Sequence, residues 1–328
     1  MKLIDTIKSK SRVLAAPLTG YPTVEYIGAT VEDGVKSAEI QTRALHAYYN
    51  DTQPDVVYPF MDLSVEAEAL GLPVRFKEGD GPDVTEHPLG SVEDLEQFSI
   101  PKVPEAGRYS VYIDTIRRLK AETDALVGGY VASPFSLAGL MMSAEKLAMN
   151  TMLDPDFCHA TLQFTTKVTV SYAKGQQDAG ADFIVLLEPT ASLLSPELYE
   201  QFVGVYVQQI TEALEVPVVL HVCGQTTNLI PSFVKNDVQG LSLDSDVHLS
   251  DVYDKIPEDI VVIGNVSPVD VMFNQGAEGV YNSTKELVEE LGSRKNYVAS
   301  TGCDVPPGTP RENLSAFMRA VRDFNQGD

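Results

Sequence analysis

Residues 183–187 (FIVLL), 216–220 (VPVVL) and 260–264 (IVVIG) carry the strongest structural signal in the chain. Each is a short, continuous apolar run, without the polar–apolar alternation of a strand that is exposed on one face. Runs of this kind are typical of strands that are covered on both faces, as in a parallel sheet. The sequence therefore predicts a buried parallel sheet.

Similar runs recur along the chain, and a stretch with helical periodicity follows each of them. The eight predicted strands are residues 13–16, 55–58, 125–130, 183–188, 216–222, 240–244, 260–265 and 297–301. Alternating strands and helices predict an α/β protein, and eight strands favour a closed (β/α)8 TIM barrel. Because such barrels run to about 250 residues or more as one unit, we predict a single domain over residues 1–328.

The widest interval between predicted strands separates Tyr58 from Ala125. It contains residues 78–83 (EGDGPD), which are too polar and too prone to form turns to belong to the core. We predict an elaborated loop or lid on the barrel after the second strand. A linker between two domains is the alternative.

The charge balance restricts the partners of the chain. Its 24 Lys and Arg against 47 Asp and Glu give a net charge of −23, which repels nucleic acids and anionic membrane surfaces. Phosphate-binding GxxxxGK[ST] and GxGxxG motifs are absent. No segment approaches the roughly 18 apolar residues of a membrane helix, and no secretory signal is visible. We therefore expect a soluble cytoplasmic protein that binds neither nucleic acid nor membrane.

Three residues are candidate metal ligands. His221 and Cys223 close the fifth predicted strand, two residues apart and so on one face, while Cys303 directly follows the eighth strand. Barrel enzymes have their active sites at this end of the strands. One imidazole and two thiolates suit zinc, and three protein ligands leave the open position of a catalytic site. The pattern predicts a Zn²⁺ site, with buried cysteines and a core histidine as the alternative.

Other polar residues lie at or just beyond strand ends on the same rim. Glu188, Asp244 and Asn265 end apolar strands, and Asp62 follows the second strand. A polar side chain is costly to bury without a role, so we predict catalytic roles for all four. The alternative is a helix cap or a hydrogen-bond network within a loop, and Asp62 is placed as a cap would be.

Five segments resemble the uroporphyrinogen decarboxylase superfamily, and more narrowly its methylcobamide:coenzyme M methyltransferase branch. They are residues 62–71 (DLSVEAEALG), 188–196 (EPTASLLSP), 221–224 (HVCG), 264–268 (GNVSP) and 302–310 (GCDVPPGTP). The resemblance extends from about residue 10 to residue 325 and implies a (β/α)8 barrel.

The resemblance also distinguishes between branches of the superfamily. The decarboxylases bind substrate carboxylates through an arginine-bearing motif after the first strand, and residues 15–22 (AAPLTGYP) contain no arginine, although Asp62 matches the decarboxylases' aspartate. The methyltransferase branch binds zinc through a His-x-Cys pair and a distant cysteine, which match His221, Cys223 and Cys303.

By this resemblance the chain is expected to be a zinc-dependent methyltransferase. It would move a methyl group from a methylated corrinoid protein to a small thiol such as coenzyme M. Because no corrinoid-binding DxHxxG motif occurs in the chain, the methylcorrinoid is expected on a partner protein.

Three alternatives remain open. One is a corrinoid-dependent demethylase, or a methyltransferase with another donor or acceptor such as a folate, a methylated amine or an ether. Another is a uroporphyrinogen-type decarboxylase without metal. The third is a catalytically silent module that binds zinc or a corrinoid protein.

Overall fold

The computed structural model describes residues 2–327, in which short strands alternate with helices. The strands are Leu14–Ala15 (β1), Val56–Val57 (β2), Val74–Arg75 (β3), Asp83–Val84 (β4), Leu126–Ala132 (β5), Phe183–Leu187 (β6), Val218–Val222 (β7), Gly240–Leu243 (β8), Val261–Val266 (β9) and Tyr297–Thr301 (β10). The helices are Leu3–Ser9 (α1), Val31–Lys36 (α2), Ala38–Thr52 (α3), Ser64–Ala69 (α4), Val92–Leu95 (α5), Tyr109–Glu122 (α6), Pro134–Met142 (α7), Ala144–Leu153 (α8), Pro155–Asp178 (α9), Pro196–Tyr199 (α10), Val205–Ala213 (α11), Ile230–Phe233 (α12), Leu249–Val252 (α13), Ala277–Leu291 (α14) and Arg311–Gly327 (α15). Within these described residues, no helix is both long and apolar enough to span a bilayer.

Eight strands form one parallel sheet that closes on itself. Their order is β1-β10-β9-β8-β7-β6-β5-β2. The two end strands also meet, because the backbone N–H of Asp55 donates to the carbonyl oxygen of Ala15 at 2.9 Å. This contact brings β2 beside β1 and completes the (β/α)8 barrel. The fold class predicted from the sequence is confirmed.

Each predicted strand overlaps one strand of the barrel, and most are observed to be shorter. The largest extension is in β5, predicted to end at Tyr130 but observed to continue to Ala132. The reason is the pairing with β6, which extends the parallel ladder as far as Ala132 and Leu187. Neighbouring strands therefore set this boundary, which residues 125–130 alone do not reveal.

The barrel strands are buried on both faces, as their apolar runs predict. Inside the barrel, Leu14, Val219 and Val298 pack with residues of α1, including Leu3 and Ile7. The N–H of Leu3 donates to the Gln239 side chain at 2.9 Å, just before β8 begins. Helix α1 thus covers the amino-terminal end of the barrel and leaves the carboxyl end for the polar side chains.

The interval after β2 holds the predicted elaborated loop, whose centre is a small antiparallel hairpin. Val74 in β3 pairs with Val84 in β4, and Lys77 near the tip forms an ion pair with Asp83. Gly81 lies close to Tyr21, since a Cβ added at Gly81 would come within 2.8 Å of the tyrosine hydroxyl. The hairpin tip therefore contacts the segment that follows β1, at the carboxyl end of the barrel.

Candidate metal centre

His221, Cys223 and Cys303 converge at the carboxyl end of the barrel. His221 Nε2 is 3.1 Å from Cys223 Sγ and 3.6 Å from Cys303 Sγ, and the two sulfur atoms are 3.2 Å apart. Strands β8 and β9 separate β7 from β10 in the sheet, so the three side chains meet across the barrel mouth. The structure thus brings together the three residues that the sequence predicts as ligands.

The donor set and spacing fit a small tetrahedral cation. Zinc bonds of about 2.0 to 2.3 Å place neighbouring ligand atoms about 3.3 to 3.8 Å apart, so the observed separations need to change by at most about 0.6 Å. The three potential ligand atoms all lie within 4.8 Å of one another, and within residues 2–327 no fourth histidine, cysteine or carboxylate joins the group. One coordination position is left for another ligand.

The pKa values of the Cys223 and Cys303 thiols shift in opposite directions. The hydrogen bond from Cys223 lowers the pKa of the Cys303 thiol well below its usual value, and His221 acts in the same direction. The same bond, together with burial, raises the pKa of Cys223. Cys303 therefore ionises first, and a cation that binds both sulfurs displaces the remaining proton.

A serine that the sequence analysis missed contacts the His221 ring on the side away from the two sulfurs. Its Nδ1 lies 3.0 Å from Ser242 Oγ, and both residues are buried. The two are register partners in the parallel ladder of β7 and β8. The available sequence signal is a serine two residues before Asp244, in an otherwise apolar strand.

Glu188 lies directly after β6, next to the strand that carries His221. Its backbone N–H donates to the His221 carbonyl at 2.9 Å, and its side chain has 0% exposure. Oε1 accepts a hydrogen bond from the Ser136 hydroxyl, while Oε2 has no partner within the described residues. Burial raises the pKa of Glu188 to about 7. The Ser136 hydroxyl and the other polar groups at the start of α7, which include Ser133 and the backbone of Phe135, partly offset that rise without forming a hydrogen bond of normal geometry to Oε2.

Asp244 and Asn265 support the loops around the centre. Asp244 Oδ2 accepts from the N–H of Gly224 at 2.8 Å, directly after Cys223, and Oδ1 accepts from the N–H of Asp246 at 3.0 Å. Asn265 Nδ2 donates to the carbonyls of Asp244 at 2.8 Å and Val247 at 2.6 Å. These contacts belong to a loop network, so the catalytic roles predicted for both residues stay predictions.

Asp62 lies in a separate buried cluster. Its Oδ1 accepts from the N–H of Ser64 at 2.8 Å and from the Ser64 hydroxyl at 2.6 Å, just before α4. Its Oδ2 accepts from the Tyr112 hydroxyl at 2.7 Å and from the Arg108 guanidinium, which also pairs with Glu68. Sequence analysis missed Arg108, because 46 residues separate it from Asp62. Asp62 thus bonds to the first residue of α4 and forms an ion pair, but the N-cap of this helix is Leu63, and the predicted catalytic role of Asp62 stays a prediction.

The fold and this cluster define a TIM-barrel protein with a potential His-Cys-Cys metal centre at the carboxyl ends of its strands. The chain belongs to the uroporphyrinogen decarboxylase (URO-D) family, whose model matches residues 18–324. The resemblance inferred from the sequence segments is thereby confirmed.

Among curated relatives, a methylated-thiol–coenzyme M methyltransferase of Methanosarcina mazei is 31% identical over 269 residues, covering 81% of this chain and 71% of the relative. A methylcobamide:CoM methyltransferase of Methanosarcina acetivorans is 31% identical over 276 residues, covering 81% and 78%. The solved structure of a methyltransferase from Methanosarcina mazei matches with a TM-score of 0.89 at 24% identity, covering 98% of this chain and 97% of that one. At this identity, the structural match supports the fold.

Proposed function

We propose that the protein is a zinc-dependent enzyme that moves a methyl group from a methylated corrinoid protein to a thiol such as coenzyme M. The observation that carries this proposal is the convergence of His221 Nε2 with the sulfurs of Cys223 and Cys303, all within 4.8 Å of one another at the barrel mouth. The similarity to two coenzyme M methyltransferases supports it.

Zinc held by these three residues would supply a Lewis acid that lowers the pKa of a thiol, while two cysteine thiolates keep that sulfur electron-rich. We assign to Glu188 the role of receiving the thiol proton, and two observations support this role. Its Oε2 has no hydrogen-bond partner in the described part of the chain, and a pKa of about 7 suits a group that accepts a proton at neutral pH. Occupation of the fourth coordination position by Glu188 before the thiol arrives is the alternative role.

The proposed transfer forms one bond and breaks another. A bond forms between the thiol sulfur and the methyl carbon, and the cobalt–carbon bond of the corrinoid breaks. The electron pair of that bond stays on cobalt, which passes from cobalt(III) to cobalt(I), and the thiol proton goes to Glu188. The products are a methyl thioether and a reduced corrinoid.

We propose that the methyl donor arrives on a partner protein, and the similarity to methylcobamide:CoM methyltransferases supports this. The partner would dock over the mouth, where the β3–β4 hairpin reaches Tyr21. Deleting residues 79–82 should lower turnover with the corrinoid protein by about tenfold, since docking geometry is lost, and leave zinc content unchanged. Equal turnover by the deletion variant and the full chain would exclude a docking role for the hairpin.

Two groups of alternatives differ in how the structure bears on them. Demethylation, or transfer to a folate, would use the same centre and is distinguished only by the substrates. A decarboxylase needs a cation free to bind substrate carboxylates, whereas Arg108 is occupied by Asp62 and Glu68. The Arg108 guanidinium therefore pairs with carboxylates of the protein and is not free to bind a substrate carboxylate.

Metal analysis followed by an assay with methylcobalamin and a panel of thiols tests the proposal. We expect one zinc per chain after purification under reducing conditions, and thioether formation from at least one thiol. Cys303→Ala should abolish tight zinc binding and transfer. Cys158→Ala is the matched control, because Cys158 is buried in α9 outside the centre. Absence of stoichiometric zinc, or full occupancy in Cys303→Ala, would overturn the proposed site.

A further inference from the structure

We infer that Ser242 and Asp244, at the end of β8, are positioning residues that prepare His221 and Cys223 for a metal ion. Ser242 holds the histidine ring with Nε2 toward the two sulfurs, and Asp244 fixes the backbone after the cysteine. The inference rests on the proposed metal site, but not on the identity of the methyl donor or acceptor.

The pairing of β7 with β8 places the two sets of residues side by side. His221 is the register partner of Ser242, and Val222 is the partner of Leu243. Continuing this register by one residue sets Cys223 beside Asp244. Because side chains alternate along a strand, Ser242 and Asp244 lie on the same face as the two potential ligands. A Ser-x-Asp sequence therefore faces the His-x-Cys sequence.

Ser242 Oγ contacts Nδ1, the ring nitrogen that faces away from the two sulfurs, and so fixes the orientation of the ring. A neutral imidazole carries one proton, and a metal needs the other nitrogen as a lone pair. If Nδ1–H donates to Ser242 Oγ, at the observed 3.0 Å, the lone pair of Nε2 points toward Cys223 Sγ at 3.1 Å. His221 has 1% exposure and Ser242 2%, so bulk water does not replace the hydroxyl.

Asp244 anchors the turn that follows Cys223. Gly224 has a φ of +83°, a conformation that favours glycine, and the chain turns away from the strand there. The N–H of Gly224 donates to Asp244 Oδ2 at 2.8 Å, and Asn265 holds the Asp244 carbonyl at 2.8 Å. The carboxylate thus fixes the position from which the Cys223 side chain projects.

The test of Ser242 uses two readouts that do not depend on catalysis. Zinc affinity is measured by competition with a chromophoric chelator, and long-range ¹H–¹⁵N NMR of the metal-free protein reports the tautomer of each of its 5 histidines. We expect the Nδ1 resonance of His221 in the parent protein to show the hydrogen bond to Ser242. Ser242→Ala should shift that resonance and weaken zinc binding by about 10- to 100-fold, and Ser242→Thr should restore both.

Ser300→Ala is the matched control, because Ser300 is also a buried strand serine but bonds to the carbonyl of Ala16. It should leave the His221 Nδ1 resonance and the zinc affinity unchanged. A His221 Nδ1 resonance that is the same in Ser242→Ala and the parent protein would overturn the role of Ser242. Because this readout uses metal-free protein, it is decisive even if the methyl transfer proposal fails.

Asp244 is tested by comparing two substitutions. Asp244→Ala should weaken zinc binding by about tenfold, whereas Asp244→Asn should recover most of it, because the amide oxygen still accepts from Gly224. If Asp244→Asn keeps zinc but loses methyl transfer, Asp244 acts in the chemistry and the positioning role is wrong. Unchanged zinc affinity in Asp244→Ala would also overturn that role.

Discussion

Asp62 and Glu188 are both buried carboxylates at the carboxyl end of the barrel, yet their surroundings are opposite. Asp62 accepts hydrogen bonds from the backbone and hydroxyl of Ser64, from Tyr112 and from Arg108. Glu188 has Ser136 on one oxygen and no partner on the other within the described residues. A buried carboxylate with all its positions filled stabilises the fold, whereas one with a free oxygen and no cation beside it is available for chemistry.

The prediction with the largest expected effect tests whether the ion pair of Asp62 with Arg108 stabilises the fold. Arg108→Ala leaves Asp62 buried without its cation, which should cost about 3 to 5 kcal/mol in the free energy of unfolding. Urea denaturation measures this loss. The control is Arg117→Ala, because Arg117 pairs with Asp114 on the surface and should contribute less than about 1 kcal/mol. Equal losses in the two variants would show that the buried cluster does not stabilise the fold.

The second prediction tests whether Glu188 takes part in methyl transfer. Glu188→Gln keeps the size of the side chain but removes its ability to take a proton, so methyl transfer should slow by about 100-fold. Zinc content should change little if Glu188 acts as a proton acceptor, and should fall if it acts as a ligand. Rates come from single-turnover measurements, with Glu197→Gln on an exposed helix as the control. An unchanged rate returns Glu188 to a purely structural role.

The third prediction, with the smallest expected effect, concerns Glu66. Like Asp62 it accepts a backbone hydrogen bond, and like Glu188 it has a pKa that burial raises. It is buried, with Oε1 accepting from the N–H of Ala132 at 2.7 Å, and burial raises its pKa from 4.5 to about 8. Because the folded-state pKa is raised, folding favours the protonated acid. Its contribution to stability is complete below about pH 4.5 and is lost as the pH rises to about 8.

Glu66→Gln should remove this dependence on pH. Relative to the parent protein, the variant should gain about 2 to 3 kcal/mol of stability between pH 6 and pH 9. Urea denaturation at the two pH values measures the gain. A constant difference between the two proteins across this range would mean that Glu66 is ionised throughout in the folded state.

The sequence predicts the strands and the convergence of His221, Cys223 and Cys303 well, because both depend on local patterns. Apolar runs such as residues 183–187 mark strands that are buried on both faces, and strand ends in a barrel lie at one rim. That rule suffices to bring Cys303 to His221 and Cys223, 80 residues or more away.

The partners of these residues could not be predicted in the same way. Ser242 faces His221 only because β7 and β8 pair in one particular register, and Arg108 reaches Asp62 only after α6 has packed beside α4. The sequence indicates the β3–β4 hairpin only through its turn-prone residues, because strands of two residues are too short to show a pattern.

The pairing of β1 with β10 determines the order in which the barrel is completed during synthesis. Strand β1 cannot complete its pairing until β10 has been made, and a nascent chain that ends before residue 297 exposes the unpaired edges of β1 and β9. Such a chain has His221 and Cys223 but lacks Cys303. The three-residue cluster therefore forms only after the ribosome has made Cys303, 80 residues after Cys223, so all three residues can bind a metal only once β10 has joined the barrel.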